Sequence, residues 1–203
     1  MEPISLFHDR LRQVLATAHS GEHTAAVLVL TIDRYSGIKI SHGFQACTAL
    51  IAHVASAVAA TLRPGVSMAR LLGSQFAVIV PLLAQEEDVL ALAERMLAAV
   101  KQPMAWHNDS VASTVSIGIA LASDGRDSAA VLRAANVAMA QALSLGGNRF
   151  CFYRQEMNAR SARIWALDAQ TRRAARRSHE APAAEHARST TMQPLWRAIT
   201  NNV

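Results

Sequence analysis

Between Thr24 and Ile32 the chain reads Thr-Ala-Ala-Val-Leu-Val-Leu-Thr-Ile, an almost unbroken apolar run rich in β-branched residues. A strand with one wet face would alternate, so this run predicts a strand buried on both faces. Before it, Leu6, Leu11, Val14 and Leu15 recur at helical spacing and predict a helix to about Ala18. After it, an Ala/Val/Ile pattern from about Gly43 to Leu62 predicts a long packed helix, ended by Pro64-Gly65. Apolar runs at 66–71 and 76–80 flank Leu72-Gly73-Ser74-Gln75 and predict a β-hairpin with its glycine in the turn. Residues 86–101 predict a helix with Glu86, Glu87 and Asp88 in its first turn and Lys101 at its end, matching the helix dipole at both poles. Residues 111–122 alternate well enough for a strand, with Gly118 in its middle; Trp106-His107 falls in a turn between strands. Asp127-Ser128 supplies an N-cap for a helix that runs to Leu145, where Gly146-Gly147 stops it, and 149–153 reads as a last strand. Hairpins mixed with crossover helices predict an α/β fold, a mixed sheet with helices packed on it.

Half of the 203 residues are apolar, enough for a full core. No apolar stretch reaches the length of a membrane span, and the N-terminus lacks the basic-then-apolar pattern of a secretory signal. Cys47 and Cys151 lie in apolar surroundings without ligand spacing and are expected to be buried free thiols, which fits a reducing, cytoplasmic location. Met68, Met96, Met104 and Met139 are expected to fill the core. The net charge of +5 is unevenly placed: residues 1–153 hold 11 basic and 11 acidic side chains, and residues 154–203 hold 9 arginines against 4 acids. The chain is therefore a neutral domain with a basic extension.

Several fixed-spacing motifs resemble the GGDEF domain of diguanylate cyclases. Leu6-Phe7-His8-Asp9-Arg10 resembles the family's opening "LPNR" segment. Ile32-Asp33-Arg34-Tyr35 with Ile38 and Gly43 resembles "D-x-D-x-FK-x-IND" and its following "GH". Arg70-Leu71-Leu72-Gly73-Ser74-Gln75-Phe76 resembles "R-x-GGDEF", Val115–Ala120 resembles the "SIGIA" strand, and Ala135–Asn148 resembles "AD-x-AMY-x-AK-x-x-G-x-N". The order and spacing of five such motifs carry the resemblance, which covers about residues 5–153. It implies a nucleotidyl-cyclase-like sandwich, with a central, mostly antiparallel sheet flanked by helices.

The family reaction condenses two GTP molecules into cyclic di-GMP across a dimer, with magnesium ions that want carboxylate and phosphate oxygens. The resemblance places the family's first metal carboxylate at Thr31 and the two acids of its signature at Ser74 and Gln75, all uncharged here. The signature's first glycine, which lets backbone approach phosphate, is Leu72, while Gly73 and Phe76 are kept. The guanine-reading positions fall at Lys39 and Thr48, and the phosphate-holding lysine and arginine at Leu143 and Gly147. At about 2–4 kcal/mol of transition-state stabilisation for each lost charged group, the expectation is a pseudoenzyme with no catalytic residues, no metal and no cofactor. Asp33, the one acid left near the metal position, and His42 are expected to be ordinary surface residues. The resemblance places the family's product-inhibition pair "R-x-x-D" at Arg63 and Val66, so Arg63 is the one candidate for a residual ligand contact, the alternative being a solvated arginine at a helix end.

The expected function is an interaction or regulatory module in cyclic di-GMP signalling. Its partner would be another protein of such a pathway, whether a phosphodiesterase, an active cyclase or an effector, in a homo- or heterodimer. The alternative is a receptor for cyclic di-GMP or another nucleotide; a new enzymatic chemistry is the remaining class, and no cluster of acids, histidines or nucleophiles points to one. Domain boundaries are expected at 1–153, at an Arg-rich helix over 154–177 and at a flexible tail over 178–203. Arg172, Arg173, Arg176 and Arg177 could meet a nucleic acid or an anionic membrane, dock on a protein, or stay solvated. Without an aromatic platform or reading motif beside them, nucleic acid is disfavoured. Residues 166–174 resemble the start of the helix that leads into a phosphodiesterase domain in many family members.

Overall fold

The structure is a computed structural model that describes residues 1–19, 24–122, 127–155 and 157. These fall within one compact unit, Met1–Ser161. The expectations for 158–177 and 178–203, including the four candidate arginines of the tail, lie outside the described residues.

The elements run α1 (Ile4–His19), β1 (Thr24–Ile32), α2 (Tyr35–Ala59), β2 (Ser67–Arg70), β3 (Gln75–Leu83), α3 (Glu86–Val100), β4 (Met104–Trp106), β5 (Asp109–Val111), β6 (Val115–Ala122), α4 (Ser128–Ser144) and β7 (Arg149–Phe152). Five strands form one sheet in the order β2-β3-β1-β6-β7, and β4 pairs with β5 as a separate hairpin. Strand β1 lies between β3 and β6, antiparallel to both; β7 joins β6 in parallel, so the sheet is mixed and mostly antiparallel.

The unbroken apolar run of β1 follows from this central place. Ala26, Leu28, Leu30 and Ile32 enter a core with Leu50, Val54 and Val58 of α2 and Val89, Leu92 and Met96 of α3. Ala25, Val27 and Val29 point the other way, into a core with Phe7, Leu11 and Leu15 of α1 and Val131, Ala135 and Met139 of α4. The successive side chains of a strand leave on opposite faces, so a strand covered by helices on both sides must be apolar at every position. Pro81, late in β3, lies past the stretch that β2 pairs, where a missing N–H costs no ladder bond.

Strand β6 and helix α4 show why one glycine is fixed. A Cβ on Gly118 would stand 2.0 Å from the Ala135 carbonyl oxygen and 2.1 Å from the Met139 amide nitrogen. Small residues along α4 (Ala134, Ala135, Ala138, Ala142) are buried and let the helix approach to this distance. The expected N-cap is present: the Asp127 carboxylate accepts from the Ala130 amide at 2.6 Å. The four methionines are buried as expected, and so is Cys47, but Cys151 is half-buried.

Two elements differ from expectation. Helix α2 begins at Tyr35 rather than near Gly43, because it is two helical pieces joined at Gly43, whose φ of 81° an L-residue rarely adopts. The earlier piece (Tyr-Ser-Gly-Ile-Lys-Ile-Ser-His) has a thin apolar stripe and starts without a side-chain cap, so it lacks the usual signals. Residues 111–122 are two strands: Val111 ends the β4–β5 hairpin, Ala112–Thr114 cross over, and β6 begins at Val115. Among the described residues, no helix is long and apolar enough to cross a membrane.

Replacing Gly118 by alanine is expected to push α4 off the sheet and cost about 3 kcal/mol or more, because the obstructing atoms are backbone and cannot step aside. A urea melt measures this; a loss under about 1 kcal/mol would show that α4 re-seats freely.

Candidate functional site

One end of the sheet gathers the positions that the motifs single out. Strand β1 ends there at Ile32 and leads into α2. The β2–β3 turn lies beside it, since Thr31 pairs with Gln75. Strand β6 begins there, with Ile32 opposite Val115, and β7 begins there, with Ser116 opposite Arg149, after the turn that closes α4.

The centre of this end is a carboxylate held by hydroxyls. Asp33 is only 5% exposed. Its Oδ1 accepts from Ser116 Oγ at 2.6 Å, and its Oδ2 accepts from Thr114 Oγ1 at 2.6 Å and from the Asn148 backbone amide at 2.9 Å. Its own amide donates to the Thr114 carbonyl at 2.9 Å. Gly147 packs so close that a Cβ there would stand 2.8 Å from Asp33 Oδ2, and its φ is +74°. The expectation that Asp33 is an ordinary surface residue is therefore corrected: it ties β1, β6 and the α4–β7 turn together. Ser116, a polar residue buried at the start of the apolar strand β6, is the one local mark of the cluster; Thr114 lies in the crossover before it. His42 is exposed as expected, with Nδ1 2.7 Å from Ser41 Oγ.

Thr31 and Ser74, which the motif puts at the family's metal-carboxylate positions, do come together: their hydroxyl oxygens are 3.2 Å apart. Gln75 opens β3 and is half-buried, Phe76 is fully buried in the core, and Leu72 and Gly73 form the exposed turn. Arg70 clamps that turn, donating from Nε and Nη2 to the Gly73 carbonyl at 3.1 and 2.8 Å. Lys39, Thr48 and Leu143 are all exposed; Thr48 Oγ1 is turned back to the Phe44 carbonyl at 3.1 Å. Arg63 is not part of this end. It lines a separate cavity of about 200 Å³ with Val66, Asp88 and Arg95.

A larger cavity of about 540 Å³ adjoins Asp33 and is lined by Arg34, Ser41, Lys101, Ser113 and Thr114 among others. The donor set around Thr31 and Ser74 does not suit magnesium. The cation wants anionic oxygens, and the residues supply two neutral hydroxyls that satisfy each other. The Asp33 oxygens are already taken by three donors. Among the described residues, no group of three or more His, Cys, Asp or Glu side chains could hold a metal ion.

Burial pushes the Tyr35 phenol above its usual 10.0, with Cys47 adding to the effect and Arg70 opposing it. Burial likewise raises the Cys151 thiol above its usual 9.0, with Arg149 opposing. Both groups thus hold their protons more firmly folded than unfolded. Their contribution is complete below pH 9.0 and is lost as pH rises past 9.0 and then 10.0. The urea midpoint is expected to fall over this range, with Cys151→Ser removing the earlier part of the fall; a midpoint that climbs there would contradict the assignment. For Asp33→Asn we expect a loss of about 2–3 kcal/mol, because hydrogen bonds to a charged acceptor are replaced by weaker ones. Hydrogen exchange at the Asn148 amide should quicken in the same variant, and an unchanged rate would show that Asp33 does not hold the turn.

Comparison with known proteins gives this end of the sheet a family. A sequence model described as "Diguanylate cyclase, GGDEF domain" matches residues 5–181, running past the boundary expected at 153. The chain is 30% identical over 155 residues to the bifunctional diguanylate cyclase/cyclic di-GMP phosphodiesterase MucR of Pseudomonas aeruginosa, covering 76% of this chain and 22% of that protein. It is 33% identical over 137 residues to the diguanylate cyclase TpbB of the same organism, covering 66% of this chain and 32% of that protein. The chain thus spans between about a fifth and a third of these relatives. The solved GGDEF domain of TpbB superposes with a TM-score of 0.73 at 28% identity, over 76% of this chain and 91% of that one. With the motifs in order, the fold shared with a solved GGDEF domain and more than half of the chain matched, this protein belongs to the GGDEF family.

Proposed function

We propose that this chain is a GGDEF domain without cyclase activity that serves as a protein-interaction or regulatory module in cyclic di-GMP signalling. The observation that carries the reading is the Thr31–Ser74 contact of 3.2 Å. The fold brings together two of the three positions to which the resemblance assigns the family's carboxylates, and both hold neutral hydroxyls. A pair of hydroxyls neither attracts a divalent cation nor lowers the pKa of an attacking alcohol. Leu72, 82% exposed in the signature turn, stands where backbone would have to approach a phosphate. The phosphate-holding arginine position is Gly147, where a side chain would collide with Asp33, so the cation could not be restored without moving the carboxylate. Domain identity is kept while the chemistry is removed, which favours binding over turnover. The partner would be a phosphodiesterase, an active cyclase or an effector of the same pathway.

One observation supports a receptor as the second reading. Arg63 and Arg95 line one cavity with Asp88 opposite, so a guanine or phosphate of cyclic di-GMP would find two cations there. Val66 supplies no carboxylate to pair with the base.

Pure protein incubated with GTP and magnesium is expected to make no cyclic di-GMP above a protein-free control, by chromatography of the products; measurable synthesis would overturn the reading. Calorimetric titration with cyclic di-GMP separates the two readings. At about 100 µM protein, which reveals micromolar binding, silence favours the interaction module. Binding that Arg63→Ala abolishes would establish the receptor.

A further inference from the structure

Among the described residues nine large apolar side chains are exposed, and five of them (Ile40, Phe44, Leu72, Leu143 and Leu145) belong to the end of the sheet described above. Ile40, Phe44 and Leu72 are 87%, 71% and 82% exposed. Scattered exposed apolar residues are ordinary, but their concentration at one end is not. Ile40 and Phe44 flank the break in α2 at Gly43, Leu72 forms the β2–β3 turn, and Leu143 and Leu145 close α4.

The charges at this end are of one sign. Residues 31–45, 70–75, 112–116 and 143–149 contain Arg34, Lys39, Arg70 and Arg149, all exposed, and a single acid, Asp33, which is buried under its donors. From Arg34 to Gln85 the sequence has no Asp or Glu at all. The ion pairs found among the described residues, Arg10–Glu2 and Arg12–Asp9, leave these four cations uncompensated. A second copy docking face to face would set cations against cations. An apolar centre with a cationic rim instead complements an apolar segment bordered by carboxylates.

We infer that the former catalytic end is a docking surface for a protein partner whose contacting segment is apolar and flanked by Asp or Glu, a deepening that rests on the interaction-module reading. Ile40, Phe44 and Leu72 supply the contact area; Arg34, Lys39, Arg70 and Arg149 set the sign of the partner and speed its encounter.

The test is selection of a random peptide display library on the full chain. The Phe44→Ser/Leu72→Ser double variant serves as counter-target, and Leu82→Ser, exposed at the other end of β3, as control. The selected peptides should combine apolar positions with Asp or Glu and lose at least about tenfold in affinity on the double variant while keeping it on the control. Their binding should weaken with added salt. Lys39→Glu provides a reading free of any folding defect and should also cost about tenfold. Neutral or basic selected peptides, equal binding to the double variant, or no enrichment over it would each overturn the inference. So would a homodimer in sedimentation that Phe44→Ser dissolves, because a second copy would then own the surface. Cyclic di-GMP synthesis would sink the reading of inactivity without touching these outcomes, and failure of the peptides would sink the surface while leaving inactivity standing.

Discussion

The buried carboxylate of Asp33 organises the end of the molecule where function is expected. A carboxylate removed from water is costly unless its lone pairs are filled. Here one side-chain hydroxyl from β6, a second from the crossover before it, and one backbone amide from the α4–β7 turn fill them. The same contacts fix where β1 ends, where β6 begins and how α4 turns into β7. Gly147 is the counterpart of this arrangement, because only a residue without Cβ fits against the carboxylate. The geometry that sets Thr31 opposite Ser74 is held by backbone, through the β1–β3 pairing and the Ile32 amide that donates to the Ser74 carbonyl at 3.2 Å, and not by a charged side chain at either position. The shape of this end of the sheet thus does not depend on carboxylates at Thr31 or Ser74.

This separation explains why the chain can be both faithful to its family and altered within it. The β1 run, Gly118 under α4 and the Asp33 cluster hold the sheet and its helices together. The positions expected to carry catalysis lie at one end of the sheet: Thr31 near the end of β1, Ser74 and Gln75 where the β2–β3 turn enters β3, Lys39 in α2 and Leu143 near the end of α4. Substituting Lys39 or Leu143 leaves both cores untouched, because these side chains are exposed and belong to neither.

Much of the fold was legible because burial on two faces leaves a mark on sequence. The uninterrupted apolar β1, the Asp127 cap and the paired glycines after α4 each state a physical requirement, and the structure meets them. Elements without such marks escaped. The first piece of α2 has neither a cap nor a strong stripe, and β4 and β5 are three residues each, too short for a period to show. The site was legible only as far as the motifs reach. They bring Thr31, Ser74 and Gln75 to one place correctly, but Asp33 looked like a surface acid because its partners are 81 to 115 residues away. Hydrogen-bond satisfaction across such distances is a tertiary property that local pattern does not encode. The tail arginines belong to residues the structure does not describe.

The exposed apolar residues at the same end point to something other than neglect. In the proposed reading the site no longer needs its nucleotide-binding groups, and a solvated surface without a ligand favours polar side chains, which cost nothing in water. Ile40, Phe44 and Leu72 instead leave apolar area in solvent, at a cost set by about 25 cal/mol for each Å² that could have been buried. Nothing in either core needs them. Their return must come from another molecule that covers them. The sign of the surrounding charge, with no Asp or Glu from Arg34 to Gln85, narrows what that molecule can be. Under the proposed reading, a run without acids and exposed apolar area at the same end fit one kind of partner, an apolar segment bordered by carboxylates.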